Sequence, residues 1–158
     1  MQGLHLTADL HQCVCDVRWL VDAALLGARC AEAVSRHGLQ SVAQLFHTFP
    51  DTAHGPGGVT ATVLLAESHL CVHTWPEQRA VTLDVYVCNF DSDQTLKAKG
   101  LMAELIKIFQ PGRAETHQLE RGAISPRFQF GDNQAHSALF NRPLDTTDPL
   151  RKSHEPES

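Results

Sequence analysis

The sequence predicts an α+β fold, a two-layer α/β sandwich whose mainly antiparallel sheet carries two helices on one face. Three observations predict it. Several short β-rich runs alternate apolar and polar residues, two long stretches repeat apolar residues at helical spacing, and Gly and Pro fall between these segments. At 158 residues the chain suits one domain with a substantial core. That domain is expected over 1–122. From about Ala123 onward Pro, Arg, Asp, Asn and Ser dominate, so 123–158 is expected to be an irregular, flexible tail.

The elements follow in order. "GLHLTADL" alternates Leu4, Leu6 and Ala8 with His5, Thr7 and Asp9, the pattern of a first strand. Asp16 precedes a stretch in which Val17, Leu20, Val21, Ala24, Leu25, Ala28, Ala31 and Val34 keep helical spacing up to Gly38, predicting one continuous helix. "LQSVAQLFHTF" reads as a second strand and "PDTAHGPGG" as a loop. "VTATVLLA", "LCVHTW" and "AVTLDVYVC" are further strands, the last two separated by a turn at "EQR". A second helix is expected from a cap at Asp93, with Leu96, Leu101, Leu105, Ile108 and Phe109 on one face and Pro111-Gly112 ending it. "AETHQLERG" is the last strand expected.

Composition narrows the function classes. A net charge of -5, from 13 basic and 18 acidic residues, argues against a nucleic-acid or anionic-membrane binder. No apolar run approaches membrane-spanning length, and "MQGLHLTADL" lacks the basic and apolar regions of a signal peptide, so the cytoplasm is the expected location. Five cysteines, an odd number without a secretion signal, read as free thiols. Cys13 and Cys15 flank a turn and are expected to be structural, while Trp19 and Leu20 pack a helix face and His5 and Asp9 serve packing or sheet hydrogen bonding.

The chemistry concentrates in "AESHLCVHTWPE", residues 66–77, where acid, hydroxyl, imidazole and thiol crowd a strand-like run. One reading is the polar face of a half-buried sheet. A second is a zinc site from His69, Cys71 and His73, which share a face at period two, with Cys88 or His5 as fourth ligand. The spacing disfavours metal, because structural zinc sites use Cys-x2-Cys or His-x3–5-His pairs on turns. Phe49 and Trp75 suit stacking on a flat ligand or ordinary core packing.

"ESHLCVHTWPE" followed by "LDVYVC" resembles the signature of the prokaryotic S-adenosylmethionine decarboxylase proenzymes. "GLHLTADLHQC", "GVTA" and "HQLERG" add to the resemblance, which spans roughly residues 3–122. It implies self-cleavage between Glu67 and Ser68, giving chains 1–67 and 68–158. The Ser68 hydroxyl attacks the preceding carbonyl, and elimination from the resulting ester leaves a dehydroalanine that hydrolyses to a pyruvoyl cofactor. That carbonyl takes up the substrate's α-amine and acts as the electron sink when CO2 leaves. His73 matches the processing histidine and Cys88 the proton donor. Thr60 stands where the family usually has a processing serine, keeping the hydroxyl and adding a methyl. Phe49 and Glu77 are candidates for substrate binding, no metal is called for, and a homodimer of processed protomers is implied.

Three departures bear on substrate. "FPDTAHGPGGVT" is longer than the family's segment before its processing strand, Asn89-Phe90 replaces the usual Gly after the cysteine, and the tail "SPRFQFGDNQAHSALFNRP" is unusual for the family. S-adenosylmethionine, on the route to spermidine, ranks first. Arginine or ornithine, the substrates of pyruvoyl enzymes with altered pockets, ranks second, and an unprocessed ligand- or partner-binding paralogue remains the non-enzyme alternative. Strict alternation also puts Ser68 and His73 on opposite faces of a flat strand, so the resemblance requires a bend or bulge near Ser68.

Overall fold

A computed structural model describes residues 2–89 and 92–122; the tail expected over 123–158 lies outside the described residues. Six strands form one antiparallel sheet in the order β2-β3-β4-β5-β1-β6. They are β1 (Gly3–Cys13), β2 (Ser41–Thr48), β3 (Val59–Leu65), β4 (Ser68–Trp75), β5 (Ala80–Cys88) and β6 (Pro111–Arg121). Two long helices, α2 (Ala23–Arg36) and α3 (Thr95–Phe109), cover one face, with a single turn, α1 (Arg18–Val21), ahead of α2. The two-layer α+β sandwich is as expected.

Alternation builds the sheet. In β5, Val81, Leu83, Val85 and Val87 are buried beneath the helices, while Thr82, Asp84, Tyr86 and Cys88 are half-buried on the opposite face. Leu70 and Val72 of β4, Leu10 of β1, and Leu101, Leu105 and Phe109 of α3 complete the core. Each such side chain contributes about 1.5–3 kcal/mol by leaving water. On the other face His5 donates from Nε2 to Asp84 at 2.9 Å and accepts on Nδ1 from Arg121 at 3.2 Å, the sheet hydrogen bonding expected of it. Asp9 is exposed.

The first helix is not continuous. Asp22 is extended at φ -103, and its carboxylate accepts the Leu25 N–H at 2.9 Å, making Asp22 rather than Asp16 the cap of α2. The break has remote causes. Thr74 of β4 donates to the Leu20 carbonyl at 2.6 Å, and Thr48 of β2 donates to the Val21 carbonyl and accepts from Ala23 N–H. These hydroxyls occupy groups that a continuous helix would pair with itself. At the other end Gly38 sits at φ 66, and the Gly38 and Leu39 amides return to Ser35 and Val34, a Schellman close.

Smaller differences have local reasons. Leu96 was expected on the apolar face of α3 but is exposed, because Ala98, Leu101, Met102, Leu105 and Phe109 form the buried stripe. Asp93 lies one residue before the cap position, Gln94, and its carboxylate accepts the Thr95 N–H at 2.8 Å. Pro111 begins β6, the first position of an edge strand, where a missing N–H is tolerated, so helix and strand are joined by left-handed Gln110 alone. Phe49 is 50% and Trp75 38% exposed, so neither is a core aromatic.

Candidate active site

β3 and β4 form a hairpin in which Leu65 pairs with Ser68, leaving Ala66 and Glu67 as the two-residue turn. Glu67 takes φ 61. A side-chain-bearing residue in this left-handed region is strained by about 1–2 kcal/mol, and the strain lies directly beside the Glu67–Ser68 peptide bond. Ser68 Oγ accepts the backbone N–H of Cys88 at 3.0 Å, which ties the start of β4 to the end of β5. Cys88 Sγ is 3.9 Å from the Gln2 carbonyl. Glu67, Ser68, Cys88 and Gln94 line a cleft of about 330 Å3 at this end of the sheet.

The thiols divide clearly. Burial pushes Cys30 up to about 12, and burial together with neighbouring Cys15 pushes Cys13 up to about 11. Burial also raises Cys15. These three are protonated packing groups, in keeping with the structural role expected of Cys13 and Cys15. Cys71 and Cys88 are half-buried, and all five cysteines are free.

The second cluster lies at the far end of the same hairpin. Thr60 and His73 are register partners, with Thr60 Oγ1 2.8 Å from His73 Nδ1. They border a cavity of about 550 Å3 whose walls include Phe49, Trp75, Glu77 and His54. A Cβ on Gly57 would collide with the Phe49 carbonyl, and one on Gly58 with the Thr74 carbonyl, so the Gly-Gly pair permits the loop's close approach. Phe49 N–H donates to the Gly58 carbonyl at 2.9 Å, and Thr74 Oγ1 accepts the Val59 N–H at 2.7 Å. From sequence these glycines are loop residues and Thr74 has no assigned role; the "GPGG" run is the signal available for the close approach.

The structure therefore brings together Ser68, Glu67 and Cys88 at one end and Thr60, His73, Phe49 and Glu77 at the other. It does not join the two groups within one chain. The register of β4 runs unbroken from Ser68 to Trp75, so of the bend or bulge that the resemblance required near Ser68, no bulge lies within the strand. Ser68 shares the parity of helix-facing Leu70, His73 that of the open face, and an offset of five positions puts them about 16 Å apart. The bend lies instead in the turn before Ser68.

The residues of the zinc alternative are otherwise engaged. His73 bonds Thr60, Cys71 Sγ is 3.5 Å from Thr62 Oγ1, and His69 packs on Tyr86 at 5.6 Å between ring centroids. Among the described residues no three His, Cys, Asp or Glu are grouped to hold a metal ion. Burial, and secondarily neighbouring His5, lower the pKa of His69. No helix of the described residues is long and apolar enough to cross a membrane.

Comparison with known proteins adds an independent line. A family model described as S-adenosylmethionine decarboxylase matches residues 4–122. An S-adenosylmethionine decarboxylase proenzyme of Persephonella marina is 35% identical, covering 77% of this chain and 84% of that protein. One of Aquifex aeolicus is also 35% identical, with 77% and 82% covered. A crystal structure of the adenosylmethionine decarboxylase from Aquifex aeolicus superposes with a TM-score of 0.66 at 31% identity, covering 78% of this chain and 93% of that one.

Proposed function

Because this chain belongs to the S-adenosylmethionine decarboxylase family, we propose that it cleaves itself between Glu67 and Ser68 and then decarboxylates S-adenosylmethionine. The observation that carries the proposal is the left-handed Glu67 immediately before a serine whose Oγ is held by the Cys88 amide. The names of the relatives favour S-adenosylmethionine over arginine or ornithine. Decarboxylated S-adenosylmethionine is the product.

Self-cleavage needs a nucleophile, a base and a strained acyl group. Ser68 Oγ attacks the Glu67 carbonyl, turning the amide into an ester and freeing the Ser68 nitrogen. Loss of the Ser68 α-proton expels the Glu67 carboxylate as the new terminus of chain 1–67 and leaves dehydroalanine at the head of chain 68–158. Addition of water with loss of ammonia then gives the pyruvoyl carbonyl. A neutral hydroxyl requires a base for the first step. His73 fits that role, since Thr60 occupies Nδ1 and leaves Nε2 available.

The residues fit the pyruvoyl group. The serine that would become it lines the cleft, with Cys88 at its edge. When formed, the group supplies an electron sink for the carbon that loses CO2. Cys88 supplies the proton that this carbon then needs, from a half-buried thiol. Phe49 offers an exposed aromatic face to a flat base, and Glu77 a carboxylate acceptor to hydroxyl donors, in the same cavity as His73.

His73 and Ser68 meet only if a second copy is present. The helix-free face of the sheet carries Leu45 at 74%, Leu119 at 48% and Leu64 at 47% exposure, apolar surface suited to burial. We propose a two-fold homodimer through this face, in which the Thr60–His73 end of one copy is laid against the Ser68–Cys88 end of the other and the left-handed turn at Glu67 carries Ser68 round from the helix side at the end of the sheet. Each dimer then holds two complete sites.

The test is the intact mass of freshly purified protein under denaturing conditions. Two chains meeting at Glu67 and Ser68, the second beginning with pyruvoyl, are expected, and Ser68→Ala should remain one chain of 17.4 kDa. Splitting of Ser68→Ala at the same bond would remove the serine from its role.

A further inference from the structure

We propose that the side-chain carbonyl of Gln94 is the acceptor for the α-amine of the amino-acid substrate, a role that rests on the function proposed above. Gln94 occupies the cap position of α3. Its backbone N–H donates to Asn89 Oδ1 at 2.9 Å, its backbone carbonyl accepts from Ala98 N–H at 3.0 Å, and its Nε2 donates to Ser92 Oγ at 2.6 Å. Asn89 is further tied to Thr95 Oγ1 at 3.3 Å. The amide is thus oriented by its neighbours, and its remaining polar atom, Oε1, is buried with nothing to bond. Among the described residues it is the one buried side-chain polar atom without a partner.

An unmade bond at a buried acceptor is costly, and folded proteins satisfy nearly all such atoms. The contrast within this chain is sharp: Glu104, also largely buried, is bonded by Arg29, Arg36 and His37. Gln94 lines the cleft that holds Glu67, Ser68 and Cys88, so a donor entering that cleft is the natural partner of Oε1. An amino acid brings two groups to the carbon of residue 68. Its carboxylate has no hydrogen to give and is disfavoured beside a carbonyl oxygen. Its α-amine is a donor in either protonation state.

The uncharged amide also suits the chemistry. An amine must shed its proton before it can act as a nucleophile. A carboxylate at this position would favour the ammonium form, whereas an amide carbonyl orients the group with far less bias toward the charged state. Gln94 is therefore a positioning residue that turns the amine inward and the carboxylate outward.

The test uses processed full-length protein and two ligands that undergo no decarboxylation. Decarboxylated S-adenosylmethionine retains the amine, and methylthioadenosine lacks it. Gln94→Met keeps the side chain's length and removes the acceptor. Calorimetry should show the dissociation constant of the amine-bearing ligand rising about tenfold, with that of methylthioadenosine unchanged. Gln94→Glu, which restores an acceptor, should bring amine binding back to within about twofold of wild type. Equal weakening of both ligands, unchanged binding of both, or failure of Gln94→Glu to rescue would overturn the assignment. So would a Gln94→Met chain that stays uncut while wild type splits, which would give Gln94 to maturation. An uncut wild-type chain would sink the pyruvoyl reading, and this inference with it.

Discussion

The hydroxyl of Thr60 lies 2.8 Å from Nδ1 of His73, across a rung of the β3–β4 ladder on the open face of the sheet. The contact holds the imidazole at Nδ1 and leaves Nε2 for the proton transfer proposed above. Thr60→Val keeps the shape and removes the oxygen, so the ring loses its orienting partner. Processing should slow by about tenfold or more, whereas Thr60→Ser should process like the parent. A time course of chain splitting by mass checks this, and equal rates for all three would show that the hydroxyl is idle.

The separation of Ser68 from His73 makes a stronger prediction. On the proposed roles, His73→Ala alone has the nucleophile without the base, and Ser68→Ala has the base without the nucleophile. Both should remain uncut. Coexpressed, they should form the proposed dimer in mixed form, with one site drawing Ser68 from the His73→Ala copy and His73 from the Ser68→Ala copy. The His73→Ala chain should then be cleaved, and the Ser68→Ala chain never. Absence of cleavage in verified mixed dimers would confine the site to one chain and sink the shared arrangement.

Much of this geometry was legible in the residues. Period-two alternation in "AVTLDVYVC" identified both faces of β5, and the same parity rule put Ser68 and His73 on opposite faces of β4. The motif nominated Ser68, Cys88, Thr60 and His73. What alternation could not convey was the register between strands, which sets Thr60 beside His73 at one end and Cys88 beside Ser68 at the other. The break at Asp22 was also illegible, because it depends on Thr48 and Thr74, hydroxyls far away in sequence. Gln94 was invisible for a related reason: an orphan acceptor is defined by burial and by missing partners, and neither is a property of residue type.

His69 predicts the pH response of the fold. Its pKa is lowered chiefly by burial and further by His5, so the folded state binds its proton less readily than the unfolded chain does. The sign follows from linkage. Below the ordinary histidine value of 6.5 the unfolded state takes up more protons, and folding weakens as pH falls toward the lowered folded value. Stability contributed by neutral His69 is therefore fully present above that ordinary value and lost beneath it. His69→Asn should flatten this part of the profile. Denaturant midpoints at several pH values, taken on uncut Ser68→Ala protein, measure it, and parallel profiles with and without His69 would assign the acid sensitivity to other groups.

The left-handed backbone of Glu67 ties strain to the proposed cleavage. At φ 61 a side chain costs about 1–2 kcal/mol that glycine does not incur, partly offset by glycine's greater freedom in the unfolded chain. In the Ser68→Ala background, Glu67→Gly should raise stability by about 1 kcal/mol, roughly 3 °C in melting temperature, while Glu67→Ala should not, because alanine keeps the Cβ. With Ser68 restored, relief of strain lowers the energy of the intact peptide but not of the transition state, in which the turn has begun to relax. Cleavage of Glu67→Gly should accordingly slow by about fivefold, the kinetic equivalent of 1 kcal/mol. Glu67→Ala separates the explanations: if it slows as much as glycine does, the lost carboxylate is responsible rather than the relaxed backbone, and the turn stores nothing that the reaction uses.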